Sequence, residues 1–119
     1  DSAMLYGKIG YHDWEGVSVD KDERFRIAEN LGENKVLIMQ NHGLLTVGET
    51  AGESFMNMYY AIRMCEVAVQ AQGSGLKLKT PKKSLWEKTL KAYDSFSPGP
   101  NEWPDLLRRC DAVDPSYKD

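Results

Sequence analysis

The chain has 119 residues, a net charge of −3, 41% hydrophobic side chains and 28% charged ones. That length holds one domain and no second, and the composition is globular rather than disordered, collagen-like or coiled-coil. No apolar run approaches the roughly 20 residues of a membrane-spanning helix, and the acidic balance lacks the footprint of a dedicated nucleic-acid binder, so neither a membrane nor a nucleic-acid partner is expected.

The stretch Met4 to His12 is apolar but broken by Gly7 and Gly10, and reads as a short strand entering a turn at His12-Asp13-Trp14-Glu15-Gly16. Asp20 and Glu23 have capping-box spacing and predict a helix with the stripe Phe25, Ile27, Ala28 and Leu31, stopped by Gly32. Val36 to Met39 is a continuous apolar run, the pattern of a strand covered on both faces. Asn41-His42-Gly43 interrupts it, and Leu44 to Val47 follows as a second strand. A turn that tight demands an antiparallel pair.

Thr50 and Glu53 form a second capping box and open a long helix, for which Phe55, Met58, Tyr59, Ile62, Cys65 and Val69 predict one core face. Leu76 to Thr80 reads as a linker, and Pro81 suits the first position of a third helix striped by Leu85, Trp86, Thr89, Leu90 and Tyr93. Ser97-Pro98-Gly99-Pro100 is a break. The last helix carries Trp103, Leu106, Leu107, Cys110 and Val113 on one side and ends at Asp114-Pro115. Cys65 and Cys110, the only two cysteines, have no metal-finger spacing and are expected as reduced, buried thiols. With no export signal visible, the cytoplasm is the expected compartment.

Helices on either side of the strands predict layers on both faces of a sheet. Two or three strands are few for a free-standing layered domain. The chain also opens Asp1-Ser2-Ala3-Met4 rather than with an initiator Met. Both features suggest a piece of something longer.

His42 is the sharpest candidate for chemistry, because a histidine at a strand-turn junction projects from a rigid support and the adjacent glycine allows close approach. On the bare residues a hydrogen-bonded structural histidine remains the stronger reading. His12 lies near Asp13 and Glu15, the ingredients of a metal or acid-base site, yet alternation along a strand keeps consecutive side chains from converging. A structural role is therefore expected there too. Lys77, Lys79, Lys82, Lys83, Lys88 and Lys91 read as a solvated face, and Trp86, Tyr93 and Trp103 as core. No phosphate loop, nucleotide-binding glycine fingerprint or nucleophile elbow is present in the sequence.

The block Gln40-Asn41-His42-Gly43-Leu44-Leu45-Thr46-Val47-Gly48 resembles the class II aldolase/adducin family. The segment Ile9 to Gly16, the helix ending at Leu31-Gly32, Phe55 to Tyr60 and the tail from Glu102 to Tyr117 agree with it. The resemblance implies an α/β fold, a three-layer α/β/α domain with a mixed, mainly antiparallel sheet. Residues 1–75 would belong to that domain, incomplete here, and residues 76–119 would form a helical extension packed on it.

It further implies a divalent metal, zinc in most members and iron in some, held by an upstream His-x-His pair and by the histidine that His42 matches. Such a metal polarises a carbonyl and stabilises an enediolate, so that a small hydroxy-carbonyl substrate is cleaved or formed. Catalytic members are homotetramers. Here the His-x-His pair is absent, and a catalytic zinc takes three protein ligands. The chain is expected to be the C-terminal half of a lyase, inactive alone and completed by an N-terminal portion. The alternatives are a metal-free, adducin-like assembly module and a non-haem iron oxygenase on the same fold.

Overall fold

The computed structural model describes residues 2–17, 21–93, 96 and 98–118. After a 3-10 turn at Ser2–Leu5, the elements run β1 (Ile9–His12), α1 (Glu23–Leu31), β2 (Val36–Met39), β3 (Gly43–Thr46), α2 (Ala51–Gly73), α3 (Lys83–Tyr93) and α4 (Glu102–Val113), and a 3-10 turn at Pro115–Lys118 follows. The sheet is mixed and ordered β1-β2-β3. β1 runs parallel to β2 with Ile9 opposite Val36, and β2 runs antiparallel to β3 with Met39 opposite Gly43. The continuous apolar run thus forms the central strand, and Val36 and Leu37 are fully buried.

Alternation along the strands assigns the helices to opposite faces. Ile9, Val36 and Leu44 share a cluster with Ala61 and Met64 of α2, together with Leu5 and Tyr60. The intervening positions turn to α1: a Cβ on Gly10 would stand 2.4 Å from the Asn30 carbonyl oxygen and 3.1 Å from Leu37 Cδ1. The result is the α/β/α layering expected from the element order.

The second capping box forms as predicted. Glu53 N–H donates to Thr50 Oγ1 at 3.1 Å, while the Glu53 carboxylate accepts from Glu49 N–H at 2.8 Å and pairs with Lys35 at 3.1 Å. Burial pushes the Glu53 carboxyl upward, but the Glu49 N–H and Lys35 outweigh it and hold it below its ordinary range. The first capping box rests on Asp20, which lies outside the described residues; α1 starts at Glu23, and its N-cap Asp22 makes no side-chain capping bond. Ser97 of the expected break also lies outside them. The segment expected as a strand from Met4 is 3-10 until Leu5, and Gly7 at φ 71° turns the chain into β1. α3 begins at Lys83, two residues after Pro81.

The core face of α2 also differs from the expected stripe. Met56, Asn57 and Ala61 are buried, whereas Phe55, Tyr59, Ile62 and Val69 are exposed, Val69 by 71%. This helix is apolar on more than one side. The sheet takes the face that carries Met56, Tyr60, Ala61 and Met64 and leaves the other stripe outside.

Part of that stripe is covered. Gly52 admits the Trp103 side chain, whose ring lies 5.9 Å from Phe55, and so docks α4. Trp86 of α3 stacks on Tyr6 at 6.1 Å. Both cysteines are free thiols, but neither is buried as expected: Cys65 is half-buried and Cys110 exposed. The surface totals 9055 Å² and the radius of gyration is 16.8 Å, against about 6,500 Å² and about 13.5 Å for a self-contained globule of this length. No helix among the described residues is long and apolar enough to cross a membrane.

The close approach at Gly10 gives a direct test of the layering. Gly10→Ala is expected to lower stability in urea unfolding by about 1–3 kcal/mol, since a methyl group there must displace the α1 backbone. An unchanged midpoint would contradict that packing.

Candidate functional site

Because β1 and β2 are parallel, their C-terminal ends meet at one edge of the sheet, where open α/β sheets place ligands. Gln40 ties the two exits together. Its N–H donates to the His12 carbonyl at 2.9 Å, and its amide Nε2 donates to Asp13 Oδ1 at 2.8 Å. His12 closes β1 and His42 stands just beyond β2, and both line one small cavity of about 40 Å³.

The β2–β3 connection sets the position of His42. His42 N–H donates to the Met39 carbonyl at 3.1 Å, closing a turn whose third residue, Asn41, has φ 55°. Asparagine tolerates that left-handed conformation better than other non-glycine residues. The His42 side chain is exposed, and among the described residues no hydrogen bond or ion pair engages its ring. It is thus held by its backbone and open at its imidazole.

His12 is its opposite. It is 3% exposed, and its Nδ1 lies 2.8 Å from Asn30 Nδ2. Its Nε2 points between two carboxylates, 3.5 Å from Glu23 Oε1 and 4.0 Å from Glu15 Oε1, and has no hydrogen-bond partner among the described residues. Arg26 grips Glu15 through its Nε at 2.9 and 3.0 Å and through its Nη2. His12, Glu15 and Glu23 each offer a donor atom within 4.8 Å of the others, the one such group of three among the described residues.

Alternation along a strand had argued against convergence here, and that expectation fails for Glu15. β1 ends at His12, so the chain turns and Glu15 folds back over the imidazole while Asp13 departs to Gln40. The sequence marked Glu23 only as half of a capping box and did not mark Asn30. Their spacing with Arg26, at i, i+3 and i+7, puts all three on the side of α1 that faces the end of β1, and that was the available signal. The lysine run is exposed throughout as expected, with Lys83 3.8 Å from Glu87. Trp86, Tyr93 and Trp103 pack against neighbouring rings and helices as partly buried residues.

Residues 1–69 match the model of the class II aldolase and adducin N-terminal domain. The chain belongs to the class II aldolase/adducin family. It is 34% identical over 99% of its length to a Caulobacter vibrioides protein named for aldolase class 2, and covers 47% of that protein. It is 41% identical to rat alpha-adducin over 73 residues, which are 60% of this chain and 10% of the adducin. A crystal structure of an aldolase II superfamily protein from Pseudomonas syringae superposes with a TM-score of 0.87 at 29% identity, covering 99% of this chain and 49% of that one. The chain spans about half the length of these bacterial relatives.

The turn geometry makes Asn41 a test of how His42 is held. Asn41→Gly should leave stability nearly unchanged, while Asn41→Val should cost about 1–3 kcal/mol in thermal or urea unfolding through left-handed strain. Equal stability of the two variants would show that the backbone at 41 does not adopt this conformation.

Proposed function

We propose that residues 1–119 are the C-terminal half of a metal-dependent class II aldolase-like lyase that acts on a small hydroxy-carbonyl substrate. In this reading His42 is one ligand of a divalent metal, zinc before iron. The observation that carries it is the His42 ring itself, exposed on a rigid turn at the ligand-binding edge of the sheet and engaged by none of the described residues. A side chain held for its own packing would be buried and bonded, as His12 is at Nδ1.

The chain alone does not fit a catalytic metal at His42. Such a centre takes three protein ligands, and among the described residues the three-donor group does not include His42. The other ligands would lie in the half of the relatives' length that this chain does not span, and no catalytic step can be assigned to residues 1–119 by themselves. The excess surface and the uncovered Tyr59–Ile62–Val69 stripe support completion by that N-terminal portion and assembly into a homo-oligomer, tetrameric by resemblance, in the cytoplasm.

An adducin-like assembly module without chemistry is the second reading, favoured by the 41% identity to alpha-adducin over 73 residues. It uses the same exposed surface and leaves the His42 ring without a task.

Native mass spectrometry of the untagged protein, with His42→Ala beside it, separates the two. The lyase reading expects a complex that contains additional N-terminal polypeptide and a bound zinc or iron that His42→Ala specifically loses. Turnover of small hydroxy-aldehyde phosphates should then fall more than about 100-fold, beyond what loss of an outer-shell partner costs. Metal content and assembly unchanged by His42→Ala would support the assembly module. Aldol cleavage by the isolated 119-residue chain would overturn the half-enzyme reading.

A further inference from the structure

We infer that His12, Glu15 and Glu23 form a divalent-cation site of their own, of the zinc class, with Asn30 as the positioning residue for His12. The proposal does not rest on the reading of His42. Its first support is the His12 Nε2 atom, buried and, among the described residues, without a hydrogen-bond partner. Leaving a buried polar atom unpaired is costly, so buried polar atoms are paired with protein, water or an ion.

The second support is where that nitrogen aims. Glu23 Oε1 at 3.5 Å and Glu15 Oε1 at 4.0 Å are too far to be its hydrogen-bond acceptors. They are close to the separation of donors sharing one tetrahedral ion, which is about 3.3 Å for bonds of about 2.0–2.1 Å. The three donor atoms lie within 4.8 Å of one another, so glutamate side-chain movements of up to about 1.5 Å close the set around one ion. The adjoining cavity of about 40 Å³ has room for a water as fourth ligand.

The surroundings suit the role. A metal-bound histidine donates its other ring N–H to a fixed acceptor. Asn30 Nδ2 stands 2.8 Å from Nδ1 and donates to it; turning that amide over exchanges Nδ2 for Oδ1, which would then accept the Nδ1 proton and leave the Nε2 lone pair facing the carboxylates. Arg26 fixes Glu15 from the opposite side, and a carboxylate has about four acceptor positions, enough to serve both a guanidinium and an ion. One imidazole and two carboxylates form a mixed nitrogen and oxygen set that zinc accepts.

The chain has only two histidines, which makes the test direct. Metal-stripped His42→Ala protein is titrated with zinc chloride, with binding followed by equilibrium dialysis and the His12 ring nitrogens followed by long-range proton–nitrogen NMR. The expected result is one zinc per chain, a large shift at His12 Nε2, and Nδ1 carrying the proton. Asn30→Leu on this background should weaken binding about 10–100-fold, and Glu23→Gln should weaken it more. Circular dichroism melting checks that each variant folds, and Asn30→Leu, at an exposed helix position, serves if Glu23→Gln does not. No zinc bound by His42→Ala at micromolar concentration would overturn the proposal. So would bound zinc that leaves the His12 signals in place, or a His12 Nε2 that stays protonated against Glu23 throughout. Loss of metal from wild type on His42→Ala alone bears on the other site, so the two can fail separately.

Discussion

The close contact of α1 with β1 at Gly10 governs the arrangement where β1 and β2 end. With no side chain at that position, the helix backbone lies almost against the strand, and a methyl group would stand 2.4 Å from the Asn30 carbonyl oxygen. That approach fixes the height of α1 over the strand end. Glu23, Arg26 and Asn30 then arrive over His12, while Leu37 fills the remaining space beside Gly10. The parallel pairing of β1 with β2 carries the same constraint to the Asn41 turn and so to His42. Two histidines distant in sequence therefore line one cavity for reasons that lie in the backbone.

The other face of the sheet is organised by a helix with more apolar surface than one contact can cover. α2 gives Met56, Asn57 and Ala61 to the strands and holds Gly52 open for Trp103. Tyr59, Ile62 and Val69 remain outside. A helix that is apolar on several sides belongs in an interior. The surface of 9055 Å² exceeds that of a self-contained globule by roughly 2,500 Å², which is of the order that stable protein interfaces bury.

Much of this was legible in the residues. The unbroken run Val36 to Met39 marked the central strand, the Asn41-His42-Gly43 turn marked the antiparallel pair, and Thr50 with Glu53 marked the start of α2. Family membership was legible in the block around His42. Periodicity failed where more than one periodic face exists, since spacing alone cannot say which apolar stripe of α2 meets the sheet. It failed again at His12, because alternation holds only inside a strand and β1 stops there. Asn30 could not be chosen without knowing how closely Gly10 lets α1 approach. That distance is a tertiary quantity, and the sequence carries it only as a missing side chain.

The account depends on the His42 imidazole being presented to a metal rather than to its own fold. Anomalous diffraction at the zinc edge, from crystals of the assembled protein grown with zinc, tests this most directly. The predicted result is a peak about 2.0–2.1 Å from a His42 ring nitrogen, completed by donors from outside residues 1–119. A His42 ring with no anomalous peak, buried and hydrogen-bonded in a subunit interface, would contradict the account and leave the chain as an assembly module.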